Sequence, residues 1–542
     1  MEKLIDIGSN PVASVLELLL ADKSTKKNII WATDTYDEFG NGFTDKEQIN
    51  GSLLLLHKDI IKPRIQKSQE QQYARTRKKA EVFTPAWLCN LMNNYCDEEW
   101  FGRKDVFNAL NEDHTWTVIE EPIKFPEKRT WKQYVDSRRL EITCGEAPYL
   151  VSRYDVSTGE LIVPPKRRIG QLDRKLRIVN ENTSDYDEWL KWTIRAFEAT
   201  YGYEYQGDNL LIARVNLLLT FVDYYKERWG AEPNEKLLRQ MTNKIVWNIW
   251  QMDGLNDTVP LGKPYEEFRQ MSLFDIFPGL SDEEQKPEAA LCKIYDWKRG
   301  NSLLLRSLKE KKMNEKKLFD FVIGNPPFGL KAWGASAFET DAYGRNIWGC
   351  PSDSNADFAW LQHMIKSMNP ATGRVAVVMP QGVLFHGGKE GEIRKQIVES
   401  DKIECIITLV GGIFYGAGVS ACLILMNNQK VPDHKNKICM IDATSIYTPA
   451  RAQNYMSEDD IQLVFNLFSN YKDEIEKVKI VALDDVREKD YTLSVNTYIE
   501  KKEQEVVSPD IVRQNYFDAL QEVKDAEYKM KELLIKGGYV NE

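Results

Sequence analysis

Short apolar segments alternate with amphipathic ones along most of the chain. The apolar segments are rich in valine, isoleucine, leucine and aromatic residues and are bounded by polar residues, glycine or proline, which is typical of buried strands. The predicted strands are 139–143, 200–204, 294–296, 319–324, 374–379, a segment ending at Leu409, and 421–426. Strands that alternate with helices predict βαβ units, and therefore an α/β fold whose mainly parallel sheet has helices on both faces.

Helical periodicity is clearest on either side of the second predicted strand. One helix has Trp189, Trp192, Ala196 and Phe197 on one face, and another contains Leu210, Leu211, Ala213, Leu217 and Leu218. A further helix runs through Trp87, Leu88, Leu91 and Met92. We expect Thr84 to be its N-cap and Pro85 its first residue, because proline has no amide hydrogen to leave unpaired there.

The pattern divides the chain into three regions. Residues 1–75 are predicted to form a small helical region, 76–430 the α/β domain, and 431–542 a C-terminal region that ends in a charged helix from Pro509 to Lys536. The apolar positions of this helix are spaced helically without a clean heptad, so packing on its own domain and contact with a partner both remain open.

Composition indicates an ordinary globular protein. The chain has 542 residues, no apolar segment of membrane-spanning length, and eight cysteines without a CxxC pair. With five histidines, this usage favours a reducing, cytoplasmic setting without disulfides or a zinc site.

The strand at 319–324 leads directly into Asn325-Pro326-Pro327-Phe328. The Asn325 side-chain oxygen and the Pro326 carbonyl can both accept hydrogen bonds from one NH₂ group, which localises the nitrogen lone pair toward an incoming methyl group. Each proline fixes its own φ and restricts the residue before it, so the acceptors are held before substrate arrives. Phe328 offers a ring face to a planar base or amide. The tetrapeptide therefore predicts methylation of an amide or exocyclic nitrogen.

Other chemically useful residues also follow predicted strand ends. Cys144-Gly145-Glu146 and Asn325 come just after predicted strands, and Glu204 and Asp296 are the last residues of theirs. Ligands of such sheets bind outside the carboxyl ends of the strands. We therefore expect these residues to lie on one edge of the sheet.

In this order the motifs resemble those of N6-adenine DNA methyltransferases, over roughly residues 75–428. The resemblance implies a Rossmann-like domain that binds S-adenosyl-L-methionine. Phe83-Thr84-Pro85 resembles the segment over the methionine part of the cofactor, and Thr143-Cys144-Gly145-Glu146-Ala147 resembles the glycine loop, with Glu146 and Ala147 in place of a small residue and a second glycine.

The same resemblance suggests roles for three further positions. Glu204 matches the acidic residue that binds the ribose hydroxyls, and either Asp296 or Asn301 would contact the cofactor adenine. Phe414, chosen over Tyr415, would stack with Phe328 on the target base. The adenine must be flipped out because its amine is paired inside the duplex.

The tail, including Asp490 to Tyr498 and the final helix, is similar to that of modification subunits of type I and related restriction systems. The resemblance implies double-stranded DNA as substrate, a separate specificity subunit and possibly a restriction subunit. A net charge of −10 agrees with this, since a protein that grips DNA alone is usually basic. Lys166, Arg167 and Arg168, together with Arg174, Lys175 and Arg177, form the best local phosphate-binding patch, although such runs are more often solvated surface.

The sequence argues against some other methylation reactions and leaves further functions open. No cysteine follows a proline, which argues against C5-cytosine methylation, and N4-cytosine enzymes more often have serine in place of the asparagine. A stand-alone adenine methyltransferase and a protein glutamine N5-methyltransferase remain alternatives, as does a DNA-binding scaffold whose altered loop holds no cofactor. The segment 329–357 is predicted to be a lid or a DNA-contacting arm.

Overall fold

The computed structural model describes residues 3–57, 59–79, 84–111, 115–262, 290–305, 307, 318–331, 333–339, 341, 344–413, 420–448, 454, 456–499 and 509–536. Phe83, Phe414 and Tyr415 lie outside the described residues. The chain forms two compact units, Met1–Ile499 and Glu500–Glu542.

The strands fall in one large sheet and two small hairpins. They are β1 (Asn108–Leu110), β2 (Trp116–Val118), β3 (Arg139–Ile142), β4 (Thr200–Glu204), β5 (Ile249–Gln251), β6 (Lys293–Asp296), β7 (Asn301–Leu304), β8 (Phe321–Gly324), β9 (Arg374–Pro380), β10 (Ile403–Leu409), β11 (Ala421–Asn427), β12 (Lys437–Ala443) and β13 (Val478–Ala482).

The α-helices surround the large sheet and continue into the second unit. They are α1 (Leu16–Leu20), α2 (Gly51–Leu56), α3 (Gln69–Lys79), α4 (Ala86–Phe101), α5 (Trp131–Asp136), α6 (Gln171–Asn182), α7 (Tyr186–Glu198), α8 (Gly207–Trp229), α9 (Glu235–Asn248), α10 (Ala335–Glu339), α11 (Asp357–Ser367), α12 (Gly388–Glu399), α13 (Glu458–Asn470), α14 (Leu483–Glu488) and α15 (Pro509–Lys536).

The large sheet has nine strands in the order β13-β12-β10-β11-β9-β8-β3-β4-β5. β5, β4, β3, β8 and β9 are parallel to one another, and β11 is antiparallel to both β9 and β10. The chain fills one half from β3 outward to β5 and then returns to start the other half at β8. This reversal between β3 and β8 is the switch point at which doubly wound sheets bind ligands. The predicted α/β fold is confirmed.

The central strands are apolar on both faces because helices cover both sides. Every residue of β9 and β11 is buried, as expected for strands inside a two-sided core. At the switch point, Gly324 pairs with Ile142. A Cβ at Gly324 would lie 2.5 Å from the Ile142 side chain, so glycine permits the close approach of β8 to β3.

The N-terminal segment packs onto this core. Trp31 is 1% exposed, and its carbonyl accepts a hydrogen bond from the Gly207 amide at the start of α8. The Gln251 side chain bonds both the amide and the carbonyl of Ile30. The segment therefore covers the edge of the sheet where β4 and β5 end.

The sheet also continues beyond residue 430, where the sequence predicted a separate region. β12 pairs in parallel with β10, and β13 pairs with β12. Ile438, Met440 and Val481 are buried in the same hydrophobic cluster as Val375 and Val377. The division of the described chain falls instead at residue 499.

Candidate functional site

The Asn325 turn lies at the carboxyl end of β8, next to the end of β3. Pro326 is buried, whereas Asn325, Pro327 and Phe328 are half-buried. The Thr143 hydroxyl donates to the carbonyl of Ile142 at 2.7 Å and lies 3.4 Å from the Asn325 carbonyl. Thr143 thereby joins the turn to the loop that follows β3.

Thr84 contacts the Asn325 carboxamide from the other side. Asn325 Nδ2 donates to Thr84 Oγ1 at 3.2 Å, which places the nitrogen end of the carboxamide toward Thr84. The Oδ1 atom of Asn325 is shielded from solvent.

The loop after β3 is sharply turned and bonded to the end of β4. Thr143, Gly145 and Ala147 have φ values of 46°, 53° and 65°, in the left-handed region that favours glycine. The Gly145 amide donates to Glu204 Oε2 at 2.8 Å, and the Gln206 amide donates to Oε1 at 3.1 Å. Gly145 and Glu204 are thus brought together as predicted from their positions after strands.

Glu146 faces away from this edge. It is 1% exposed, and its carboxylate accepts hydrogen bonds from the Arg64 amide and the Tyr154 hydroxyl, both at 2.6 Å. The left-handed conformations on either side turn the side chain into the protein. This placement corrects the predicted cofactor contact, since Glu146 instead holds the N-terminal segment against the loop.

Asp296 and Asn301 lie at the opposite edge of the sheet. They pair with each other at the turn of the β6–β7 hairpin. Asp296 lines a surface cleft with Arg138, Tyr201 and Phe319, which mark the amino ends of β3, β4 and β8. The structure therefore does not bring either residue to Glu204 or Asn325, because β6 pairs in an antiparallel hairpin outside the large sheet.

Asp253 occupies the position that the sequence analysis assigned to Asp296. It follows β5, whose Gln251 is paired with Glu204. Its carboxylate accepts hydrogen bonds from the amides of Leu255 and Asn256, and burial raises the pKa of this carboxyl. The sequence analysis did not predict the short strand Ile249–Gln251. That strand was the signal that could have placed Asp253 at this edge.

The segment after the turn is anchored to the loop that contains Asp253. Arg345, 2% exposed, donates to the carbonyl oxygens of Gly254 and Leu255 and pairs with Asp341 at 2.8 Å. Trp333 and Phe338 are buried. The described part of the predicted lid or arm is therefore packed, since its aromatic residues belong to the core.

The predicted basic cluster is largely internal. Arg168, Arg174, Lys175 and Arg177 are buried. Arg174 pairs with Asp97 at 2.6 Å, and Lys175 donates to the carbonyls of Ser137 and Ala199. These cations join elements of the fold and do not form a phosphate-binding surface.

Membrane-spanning helices and metal-binding clusters are both absent from the described residues. No helix among them is long and apolar enough to cross a membrane. No group of three or more histidine, cysteine, aspartate or glutamate side chains within that part of the chain is arranged to hold a metal ion.

The site therefore combines an acceptor turn at the switch point of a doubly wound sheet with an acidic residue, Glu204, at the end of β4 on the far side of β3. Residues 296–506 match the family model of N-6 DNA methylases. This match includes the Asn325 turn, and a methyl donor is implied by the family.

Among curated proteins, the chain is similar to methylase subunits of type I restriction enzymes. It is 32% identical over 227 residues to the MjaVII methylase subunit of Methanocaldococcus jannaschii, covering 40% of this chain and 37% of the relative. It is also 32% identical over 197 residues to the HindI methylase subunit of Haemophilus influenzae, covering 35% of this chain and 43% of the relative. The chain thus spans about two fifths of these relatives' lengths. The predicted resemblance is confirmed.

Solved structures of type I methyltransferase subunits also align with the chain. A type I restriction-modification methyltransferase subunit from Streptococcus thermophilus aligns with a TM-score of 0.44 and 17% identity, over 86% of this chain and 72% of that chain. The type I restriction enzyme EcoKI M protein aligns with a TM-score of 0.42 and 15% identity, over 91% of this chain and 77% of that chain.

Proposed function

We propose that this protein transfers a methyl group to the N6 amine of adenine in DNA, as the modification subunit of a restriction-modification or related defence system. The observation that supports this most is the position of the Asn325 turn. It lies at the carboxyl end of β8 beside the switch point, where a ligand between β3 and β8 would meet it.

Asn325 and Pro326 act on the amine. The Asn325 Oδ1 and the Pro326 carbonyl accept the two amine hydrogens, so the nitrogen lone pair becomes localised and points away from both acceptors. Pro326 and Pro327 fix the turn, which keeps the acceptors in place without reorganisation during transfer. No covalent bond to the protein forms, because the amine itself is the nucleophile.

The cofactor implied is S-adenosyl-L-methionine, and the residues at this edge fit it. Glu204 lies at the end of the second parallel strand, the position from which a carboxylate accepts hydrogen bonds from ribose hydroxyls. The tight turn at Gly145 brings backbone close to the same space. Phe83, Pro85 and Thr143 are proposed to line the site, with Asp253 in place of Asp296 or Asn301 at the adenine. When bound, the cofactor supplies an electrophilic methyl group.

Phe328 and Phe414 are proposed to hold the target base. Phe328 is half-buried directly after the two prolines, so its ring is positioned by the same turn as the acceptors. Phe414 follows Gly411-Gly412-Ile413 after β10. An extruded base between two aromatic faces keeps the stacking that it loses in the duplex.

A specificity subunit is the partner proposed for α15. Its apolar face includes Tyr516, Val523 and Met530, which are 63%, 57% and 60% exposed. When the alanines are counted, the spacing alternates between three and four residues, through Tyr516, Ala519, Val523, Ala526, Met530 and Leu533. This spacing is typical of the seam of a coiled coil. The sequence analysis missed it because only the large side chains were considered there. The seam fits a helical partner, and such a subunit would supply the DNA contacts that an acidic chain lacks.

The function is tested by expressing the chain with its genetic neighbours in a host that lacks them. Adenine modification is mapped by sequencing genomic DNA, and cofactor binding is measured by titration calorimetry. We expect Asn325→Ala to lose modification and retain cofactor affinity within about threefold. Asn301→Ala is the matched control, because Asn301 is exposed at the opposite edge, and it should modify DNA like the parent.

Other outcomes would change the proposal. Modification by the chain alone would make it a stand-alone enzyme. If labelled methyl groups from the donor appeared in protein glutamine and not in DNA, the proposed substrate would be a protein and not DNA. Absence of cofactor binding by the parent complex would leave a scaffold.

A further inference from the structure

Thr84 is placed to control the direction of the catalytic carboxamide. Its hydroxyl oxygen accepts from Asn325 Nδ2 at 3.2 Å and lies 3.4 Å from the Tyr149 hydroxyl. The Tyr149 hydroxyl is in turn 3.2 Å from Met92 Sδ. Thr84, Tyr149 and Met92 are each 2% exposed or less. Asn325, Thr84, Tyr149 and Met92 thus form a chain of contacting polar groups, here called the hydroxyl relay. Its last three members are shielded from solvent.

The Thr84 side chain has no role in starting the helix that follows it. The sequence predicted Thr84 as N-cap, but α4 begins at Ala86, and its N-cap is Pro85 without a side-chain hydrogen bond. A threonine at an N-cap would direct its oxygen to the amides of the first turn. Here the oxygen is directed to Asn325, so a different role explains this hydroxyl.

A carboxamide has two orientations of nearly equal shape, and only one suits the proposed chemistry. With the oxygen toward the amine, Asn325 accepts a hydrogen bond. After a half-turn of the amide plane, its NH₂ group would face the NH₂ of the base, and donor would meet donor. Some group must therefore distinguish the two ends of Asn325.

The Thr84 oxygen supplies that distinction, because it accepts from Asn325 Nδ2 at 3.2 Å. The Tyr149 hydroxyl donates to the same oxygen at 3.4 Å and also lies against Met92 Sδ, so Tyr149 holds the Thr84 oxygen in place. With Nδ2 bound to Thr84, Asn325 Oδ1 is turned away from the relay. Burial keeps the pKa of Tyr149 well above its usual value, so the phenol retains its proton at working pH.

We propose that Thr84, supported by Tyr149, is a positioning residue that fixes the Asn325 carboxamide with its oxygen toward the substrate amine. This rests on the proposed function, because it assigns the orientation of the acceptor in that reaction. It differs from the cofactor role that the resemblance gave to Thr84. Its loss should slow methyl transfer and leave the cofactor site intact.

The test compares Thr84→Val, which keeps the shape and removes the hydroxyl, with Thr84→Ser, which keeps the hydroxyl. Each variant is made in the complex with its genetic neighbours. Single-turnover transfer of labelled methyl to genomic DNA from a host without the system is measured, together with calorimetric affinity for S-adenosyl-L-methionine. We expect Thr84→Val to slow transfer by about 10- to 100-fold, the loss of one buried hydrogen bond and its orientation. Thr84→Ser should stay within about threefold.

Tyr149→Phe provides a second, independent measurement that does not depend on how Thr84→Val folds. It removes the hydroxyl that donates to the Thr84 oxygen, so we expect slower transfer by about 3- to 10-fold at unchanged cofactor affinity. A double-mutant cycle of Thr84→Val with Asn325→Asp should be non-additive, because an aspartate has no NH₂ group for Thr84 to bind.

Three results would overturn the inference and leave the proposed function standing. They are an unchanged rate in Thr84→Val and Tyr149→Phe, equal losses of rate and cofactor affinity, and strictly additive effects in the cycle. An inactive parent complex that binds cofactor would instead contradict the proposed function.

Discussion

Two neighbouring carboxylates, Glu204 and Glu146, show how local geometry assigns a residue its role. Both are largely buried, at 6% and 1% exposure. Glu204 accepts hydrogen bonds from the amides of Gly145 and Gln206 at the carboxyl edge of the sheet. Glu146 accepts hydrogen bonds from the Arg64 amide and the Tyr154 hydroxyl. The first carboxylate faces the proposed ligand space, and the second holds the N-terminal segment.

Glu204→Gln should therefore weaken cofactor binding. The amide keeps one acceptor oxygen but loses the charge and the second acceptor, which corresponds to about 1.5–3 kcal/mol for hydrogen bonds to a charged group, or roughly 10- to 100-fold in Kd. Calorimetric titration with S-adenosyl-L-methionine measures this.

Glu146→Gln is the matched control for that change. It should lower the melting temperature and leave the cofactor Kd within about threefold, because Glu146 faces the protein interior. The reverse pattern, with affinity lost in Glu146→Gln and kept in Glu204→Gln, would exchange the two roles.

At the scale of secondary-structure elements, one buried charge cluster joins the N-terminal segment to α8. Asp208, in the first turn of α8, pairs with Lys67 at 2.8 Å and with Arg75 on α3 at 2.9 Å, and it accepts from the Tyr36 hydroxyl. Both ion pairs are almost fully buried. Because α8 begins three residues after Glu204, this cluster stabilises the approach to the candidate site.

Asp208→Asn should be strongly destabilising. It removes the negative charge that Asp208 presents to the buried Lys67 and Arg75, and breaking such a buried pair from one side typically lowers the free energy of unfolding by about 3–5 kcal/mol. Urea denaturation measures the change. Asp187→Asn makes the same replacement in the first turn of α7, where the side chain is exposed, and should change stability by about 0.5 kcal/mol or less.

The same cluster predicts a dependence of stability on pH. The charges of Arg75 and Lys67 hold the pKa of Asp208 well below its usual value against the opposing effect of burial. The unfolded chain therefore takes up a proton near pH 4 while the folded chain does not, so stability is fully present above this pH and falls as the pH drops below it. Urea midpoints between pH 6 and pH 3 should fall less steeply for Asp208→Asn than for the parent. Equal slopes would show that Asp208 does not contribute.

At the scale of the whole molecule, the first unit is one continuous structure and the second is a separate helix. The nine-stranded sheet includes residues from Arg139 to Ala482, and the N-terminal segment packs in its core. α15 belongs to the unit Glu500–Glu542 and exposes its apolar seam. Folding of the sheet and the proposed attachment of a partner therefore involve different parts of the chain.

Charges in the α15 seam should abolish partner binding without unfolding the first unit. Tyr516→Glu with Val523→Glu places two carboxylates at core positions of the proposed coiled coil. We expect loss of co-purification with the neighbouring subunit, and a melting temperature within about 2 °C of the parent, because exposed substitutions rarely change stability. Gln514→Glu with Gln521→Glu adds the same charge on the polar face and should retain the partner. Retention of the partner by both double variants would exclude the seam as the contact.

Much of the fold followed from local patterns. The predicted strand 200–204 and the predicted terminal helix 509–536 have the observed bounds, because each is a continuous segment ended by polar residues or proline. The basic residues of α6 were harder to interpret. Arg174 and Lys175 are charged in the sequence but buried in the structure, and their partners Asp97, Ser137 and Ala199 are distant along the chain.

The sequence by itself determined the strand-helix alternation, the Asn325 turn and the acidic residue after β4, because hydrophobic periodicity and proline geometry act over a few neighbouring residues. Only the tertiary structure decided which strand ends share an edge. It placed Asp253 there instead of Asp296, turned Glu146 inward, and brought Thr84 to Asn325 across 241 positions of the chain. Such choices depend on strand pairing and on packing between distant segments, which no local pattern records.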